Sequence, residues 1–99
     1  MNFGHAIEAL KNGLRVQRTG WNGKGMFVWM VDGSIYADGS DDTLVNGVRY
    51  EHFDLGPEGS ITRMPHLCMH AADGSTVTGW LASQTDLLAD DWVVVADVD

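Results

Sequence analysis

Six consecutive apolar residues, Met26 to Val31 (Met-Phe-Val-Trp-Met-Val), lie between Gly25 and the pair Asp32-Gly33. The run is too short for a core helix and rich in β-favouring side chains, so it predicts a buried strand. A second pattern precedes it. Phe3, Ala6, Ile7, Leu10 and Leu14 recur at the spacing of one helical face, while Glu8, Lys11 and Asn12 fall elsewhere; a helix is expected over residues 3 to 12. Asn2 suits its N-cap, accepting from a first-turn N–H, and Gly13 suits a left-handed stop.

The rest of the chain reads as short strands divided by turn residues. Leu14 to Arg18 alternates and runs into a loop with three glycines between Gly20 and Gly25. Ser34 to Ala37 is expected to pair back on the apolar run across the Asp-Gly turn. Residues 38 to 60, with clustered acids, Pro57 and several glycines, read as a long loop or lid with one weak strand near Val48 to Phe53. Ile61 to Ala71 reads as a strand broken near Pro65, and Asp73-Gly74 as a turn into Ser75 to Trp80. Ser83-Gln84-Thr85-Asp86 has the spacing of a capping box and predicts a short helix over 84 to 89, followed by a last strand from Trp92 to Val98. The expected fold class is α+β: an antiparallel β-sheet with an N-terminal amphipathic helix and a short helix before the last strand.

At 99 residues the chain is expected to form a single domain, with a variable loop or insert at about 32–63. With 44% hydrophobic and 20% charged residues, four Trp, three Phe and two Tyr, it has the material for a packed core. One cysteine, Cys68, excludes an internal disulfide. No apolar run approaches the roughly 18 residues of a membrane helix, and the N-terminus lacks a signal-peptide pattern, so a cytoplasmic protein is expected. The formal charge of -8 argues against a nucleic-acid polymer as partner, because affinity there comes from neutralising phosphates. That charge is segregated. Lys11, Arg15, Arg18 and Lys24 crowd the first 27 residues against Glu8 alone, whereas from Asp73 onward there are six acids and neither Lys nor Arg. Opposite patches of this kind suit self-association, and equally suit a solvated surface.

Candidate chemistry is sparse. His66, Cys68 and His70 alternate and would share one face of a strand, but paired ligand spacing is missing and no metal is expected. His5, Ser83 and Asp86 supply the residue types of a triad, yet no Gly-x-Ser-x-Gly elbow accompanies them. The adjacent acids Asp41-Asp42 and Asp90-Asp91 read as exposed turn acids. Trp21-Asn22-Gly23-Lys24-Gly25 differs in kind. It sets a flat ring, an amide and a cation in one glycine-rich loop, which suits a base, a ribose and a phosphate, and equally suits a plain turn under a core tryptophan. It is neither a Walker A loop nor a dinucleotide-binding glycine motif. The start of the short helix at Ser83 to Asp86 offers free N–H groups to an anion or a sugar hydroxyl, or is a structural cap alone.

Taken in order, Asn2-Phe3-Gly4, Gly20-Trp21-Asn22-Gly23-Lys24-Gly25-Met26, Ala72-Asp73-Gly74 and the string from Trp80 through Ser83-Gln84-Thr85-Asp86-Leu87-Leu88-Ala89-Asp90-Asp91 to Trp92 closely resemble the Thoeris anti-defence family, second type, of small phage proteins. The resemblance covers residues about 1 to 31 and 64 to 96; Asp32 to Arg63 carries none of these motifs. It implies a homotetramer that binds cyclic ADP-ribose isomers made by TIR-domain enzymes without degrading them, in the cytoplasm of the infected host. It also implies, for some members, separate sites for cyclic di- or trinucleotides. On that reading the protein is not an enzyme, needs no cofactor, and binds at a dissociation constant on the order of nanomolar, about 12 kcal/mol. The expected ligand-binding residues are Phe3, Arg18, Trp21, Asn22, Gly23, Lys24, Ser83, Gln84, Thr85 and Asp86. Trp21 would stack on adenine, Asn22 and Gln84 would read base edges or ribose, and Arg18 or Lys24 would meet the pyrophosphate. The other readings are a hydrolase of the same signal and a protein-interaction inhibitor of a host defence protein.

Overall fold

The computed structural model describes residues 1–36, 44–45, 47–49, 52 and 61–96. It divides into two compact units, Met1–Val31 with His66–Asp99 and Asp32–Pro65, each taken by itself below.

The first unit is a five-stranded antiparallel sheet with one helix packed on it. Helix α1 (Phe3–Lys11) begins where Asn2 Oδ1 accepts the His5 N–H at 2.9 Å. It ends through Asn12 at Gly13, whose φ of 81° is the left-handed conformation a helix stop favours. The strands are β1 (Val16–Arg18), β2 (Phe27–Val31), β7 (His66–His70), β8 (Thr76–Thr78) and β9 (Trp92–Val94), in the order β8-β7-β2-β1-β9. Helix α2 (Gln84–Leu87) is capped by the Ser83 hydroxyl and leads into β9. The α+β class expected from the sequence is the architecture present, although the elements are shorter: β9 stops at Val94, and Asp97 and Val98 lie outside the described residues.

The apolar run is the central strand. β2 lies between β7 and β1, with Val28 opposite Met69 on one side and Val16 on the other. Extended outward, the same row reaches Val94 on β9 and Val77 on β8. Exposure along it runs 43%, 0%, 0%, 8% and 49% from Val94 to Val77, so burial is deepest at the middle of the sheet and fades at both edges. Ala6 and Leu10 of α1 close over this face with Trp92, and together these side chains form the core. Burying a leucine or valine there contributes about 1.5–3 kcal/mol each. The edge strand β9 is partly covered by the chain start. Met1 N donates to Trp92 O at 2.8 Å and Trp92 N–H to Met1 O at 3.1 Å, satisfying groups an open edge leaves unpaired.

The second unit holds β3 (Ser34–Tyr36), β4 (Leu44–Val45), β5 (Val48–Arg49) and β6 (Ile61–Arg63). β3 pairs antiparallel with β6, and β4 with β5. The expected hairpin of Ser34 to Ala37 onto the apolar run is therefore corrected. All five residues of β2 are taken by β7, leaving the ladder on that side filled, and β3 finds its partner in β6. Of the weak strand expected near Val48 to Phe53, Val48–Arg49 is a strand among the described residues; Ala37, Phe53 and most of 38 to 60 lie outside them.

Candidate functional site

Residues from the two ends of the chain meet because β1 and β9 are neighbours. Their register sets Arg18 opposite Trp92, with Asp91 one residue before it and α2 just upstream. Arg18 Nε donates to Asp91 Oδ1 at 2.8 Å and Nη1 to Asp86 Oδ1 at 2.7 Å, its side chain only 15% exposed. Two carboxylates thus share one planar guanidinium. Asp86 Oδ1 also accepts Trp21 Nε1–H at 3.1 Å, and the Asp86 carbonyl accepts Trp92 Nε1–H at 2.9 Å. Asp86 is the hub.

Asp91 is held on its other oxygen by the Gly20 N–H at 2.8 Å. A Cβ on residue 20 would stand 2.7 Å from Asp91 Oδ2, so a side chain there would have to push this carboxylate aside. Asp91 is accordingly half-buried and engaged, which corrects its reading as an exposed turn acid. The charge segregation was the sequence signal for it: a cation-rich start and an acid-rich end, joined through Arg18 inside one subunit.

Electrostatics follow the geometry. For Asp86, partial burial pulls its carboxyl upward, but hydrogen bonds from Arg18, Trp21 and Ser83 outweigh that and hold it below its ordinary value. Arg18 holds the Asp91 carboxyl low as well, with help from the Gly20 N–H. Arg18 itself is raised by its bonds to Asp91 and then Asp86. All three are charged at neutral pH.

Around this network lies a cluster of tryptophans. Trp21 meets Trp92 edge-on at 5.4 Å and Trp80 at 6.3 Å, and Phe3 tilts onto Trp92 at 5.2 Å. Trp92 is fully buried; Phe3, Trp21 and Trp80 are half-buried. Such edge-to-face pairs contribute about 0.5–1.5 kcal/mol each beyond area burial. Of the expected site residues, Phe3, Arg18, Trp21, Ser83 and Asp86 are brought together in this way. Ser83 is the cap, its Oγ accepting the Asp86 N–H at 3.1 Å. Asn22, Lys24, Gln84 and Thr85 are exposed, and Gly23 is packed so closely that a Cβ would lie 2.6 Å from Met26 Sδ and 2.7 Å from Ala72 Cβ. The triad types do not assemble, since Ser83 and Asp86 are engaged in the cap and the Arg18 network. Among the described residues no group of three or more His, Cys, Asp or Glu is placed to hold a metal ion, and no helix is long and apolar enough to cross a membrane.

Within the first unit, one arginine and a tryptophan cluster lock residues from the two ends of the chain together. A model of the Tad2-like domain, described as the Thoeris anti-defense 2-like domain, matches residues 1–95, and the chain belongs to this family. Among curated proteins it is similar to "Thoeris anti-defense 2" of Bacillus phage SP01, 35% identical over 99 residues that span 97% of this chain and 96% of that protein.

Proposed function

We propose that the protein is a phage anti-defence protein that captures cyclic ADP-ribose-type signalling nucleotides of TIR-domain immunity and holds them without cleaving them. One observation carries the reading. The partly exposed indole of Trp21 is fixed by its N–H on Asp86 and by edge-to-face contacts with Trp80 and Trp92, in the same loop as the exposed Asn22 and Lys24. A ring held rigid before the ligand arrives loses little entropy on stacking, and the neighbouring amide and cation suit ribose hydroxyls and pyrophosphate. Arg18 and Asp86 act in this reading by positioning Trp21 and the α2 segment, while Gln84 and Thr85 present polar groups at the surface.

Assembly into a homotetramer belongs to the same reading. Leu81 is 90% and Leu88 81% exposed on either side of α2, apolar surface that a second copy would cover. The test is calorimetry with cyclic ADP-ribose isomers, followed by heat denaturation and identification of what is released. Tight binding and recovery of intact ligand are expected; altered product would make the protein a hydrolase. Asn22→Ala and Lys24→Ala should each weaken binding by about tenfold, the loss of one good polar contact, without shifting the melting temperature. Unchanged affinity in both would remove the loop from the site. Cyclic di- and trinucleotides, titrated in parallel, test the broader specificity.

A further inference from the structure

An asparagine followed by a glycine is open to attack by its own backbone, because the glycine has no side chain to keep its nitrogen away from the asparagine amide carbon. The chain holds three such pairs, Asn12-Gly13, Asn22-Gly23 and Asn46-Gly47, and Asn46 lies outside the described residues. Asn12 and Asn22 are both exposed, so exposure does not separate them. Hydrogen bonding does. We propose that Asn22-Gly23 is a site of spontaneous modification, at which the Asn22 amide is lost through a cyclic imide and a carboxylate takes its place in the Trp21 loop.

At Asn12 both reacting groups are occupied. Its Nδ2 donates to Glu8 O at 2.9 Å and the Gly13 N–H donates to Leu10 O at 3.0 Å, so the amide and the nitrogen that would attack it are each tied to the end of α1. At Asn22 neither the side-chain amide nor the Gly23 N–H has a hydrogen-bond partner among the described residues. The two neighbours of Asn22 are anchored instead. Trp21 is held through its indole N–H on Asp86, and Gly23 sits where a Cβ would lie 2.6 Å from Met26 Sδ and 2.7 Å from Ala72 Cβ. The missing side chain at residue 23 thus has two effects: it lets the loop settle on Ala72 and Met26, and it leaves no Cβ between the Gly23 nitrogen and the Asn22 amide carbon.

The conversion needs water alone. The Gly23 amide gives its proton to water and its nitrogen bonds to Asn22 Cγ; the Cγ–Nδ2 bond breaks and the side-chain nitrogen leaves as ammonia, which closes a five-membered succinimide. Water then opens the ring. Breaking the bond from the ring nitrogen to Cγ gives aspartate, and breaking the bond to the backbone carbonyl carbon of residue 22 gives isoaspartate, in which the main chain runs through the former side chain. Either way one amide and one water become one carboxylate and one ammonia, and the formal charge of -8 becomes one unit more negative. Isoaspartate also adds a methylene to the main chain beside Gly23, where Met26 and Ala72 already press close. Both products set an anion two residues from Lys24. A loop that grips a pyrophosphate would then repel it; this consequence rests on the functional reading above, whereas the modification itself does not.

The test is to incubate the full chain for days at mildly alkaline pH, folded and in urea, and to map its peptides by mass for the gain that marks an amide turned acid, with isoaspartate counted by an isoaspartyl methyltransferase. In the folded protein Asn22 is expected to convert about 30-fold faster than Asn12, the factor by which two hydrogen bonds that must first break would slow Asn12. In urea the two should convert at similar rates. Asn22→Gln, whose imide would need a larger ring, should lose the conversion at this position. Equal rates at the two sites in the folded protein, a faster Asn12, or conversion of Asn22 in urea alone would each overturn the proposal. Anion exchange, with each fraction mapped, then isolates the chain modified at residue 22, and fresh and modified forms are titrated with cyclic ADP-ribose isomers. The modified form is expected to bind about tenfold more weakly, the loss of one polar contact. Equal binding by the two forms would overturn the effect on the loop, and failure of the fresh form to bind would refute the functional reading while the mass gain at Asn22 still upholds the modification.

Discussion

Replacing Asp86 separates hydrogen bonding from charge at the hub of the structure. In Asp86→Ala the Trp21 indole loses its acceptor and Arg18 keeps only Asp91, whereas Asp86→Asn retains an oxygen where Oδ1 accepts both donors and loses the charge. A half-buried donor left without a partner costs about 1–3 kcal/mol, so about 2 kcal/mol is expected for alanine and about 1 kcal/mol for asparagine. For a domain of this size each kcal/mol moves the midpoint by about 4–8 °C, which puts the two variants about 8–16 °C and 4–8 °C below the parent. Because the folded-state carboxyl lies below its ordinary value of 3.8, its contribution is complete above that value and is lost as pH falls through the lower folded-state value. Asp86→Asn should therefore lose part of the acid sensitivity of the parent. Thermal melting followed by tryptophan fluorescence, at neutral pH and near pH 3, measures all of this. If alanine melted with the parent, the hub would be a surface contact of no consequence; asparagine melting as low as alanine would refute the assignment of half the effect to the hydrogen-bond acceptor and place it on the charge.

Two further expectations concern packing. Leu10→Ala removes a side chain that is 1% exposed between α1 and the sheet and should cost about 2–5 kcal/mol in urea denaturation; a smaller loss would mean that the helix settles into the gap. Gly20→Ala sets a methyl 2.7 Å from Asp91 Oδ2, so it should release Asp91 from the backbone N–H at position 20, whose amide proton should exchange faster than in the parent by hydrogen exchange.

Helical spacing from Phe3 to Leu10, with Asn2 before it and Gly13 after, specifies α1, because a helix and its caps are made by residues a few positions apart. The same holds for the Ser83 cap of α2 and for the β7–β8 hairpin at Asp73-Gly74. The motifs near both ends carry the family. Pairing across long separations does not follow from such patterns. Nothing near Ser34 says that it joins β6 rather than β2, since any short strand next to an Asp-Gly turn reads as a hairpin until its neighbour's ladder is known to be filled. Site chemistry divides along the same line. Asn22 and Lys24 are legible as exposed loop residues, whereas Asp91, 73 residues from Arg18, became its partner only when β9 was laid beside β1. The continuous run Met26 to Val31 hid which face each residue takes, so Phe27 and Trp29 were visible only as strand formers. Their place beside Arg15 and His70 was decided by strand order, a property of the whole sheet that no local stretch of sequence contains.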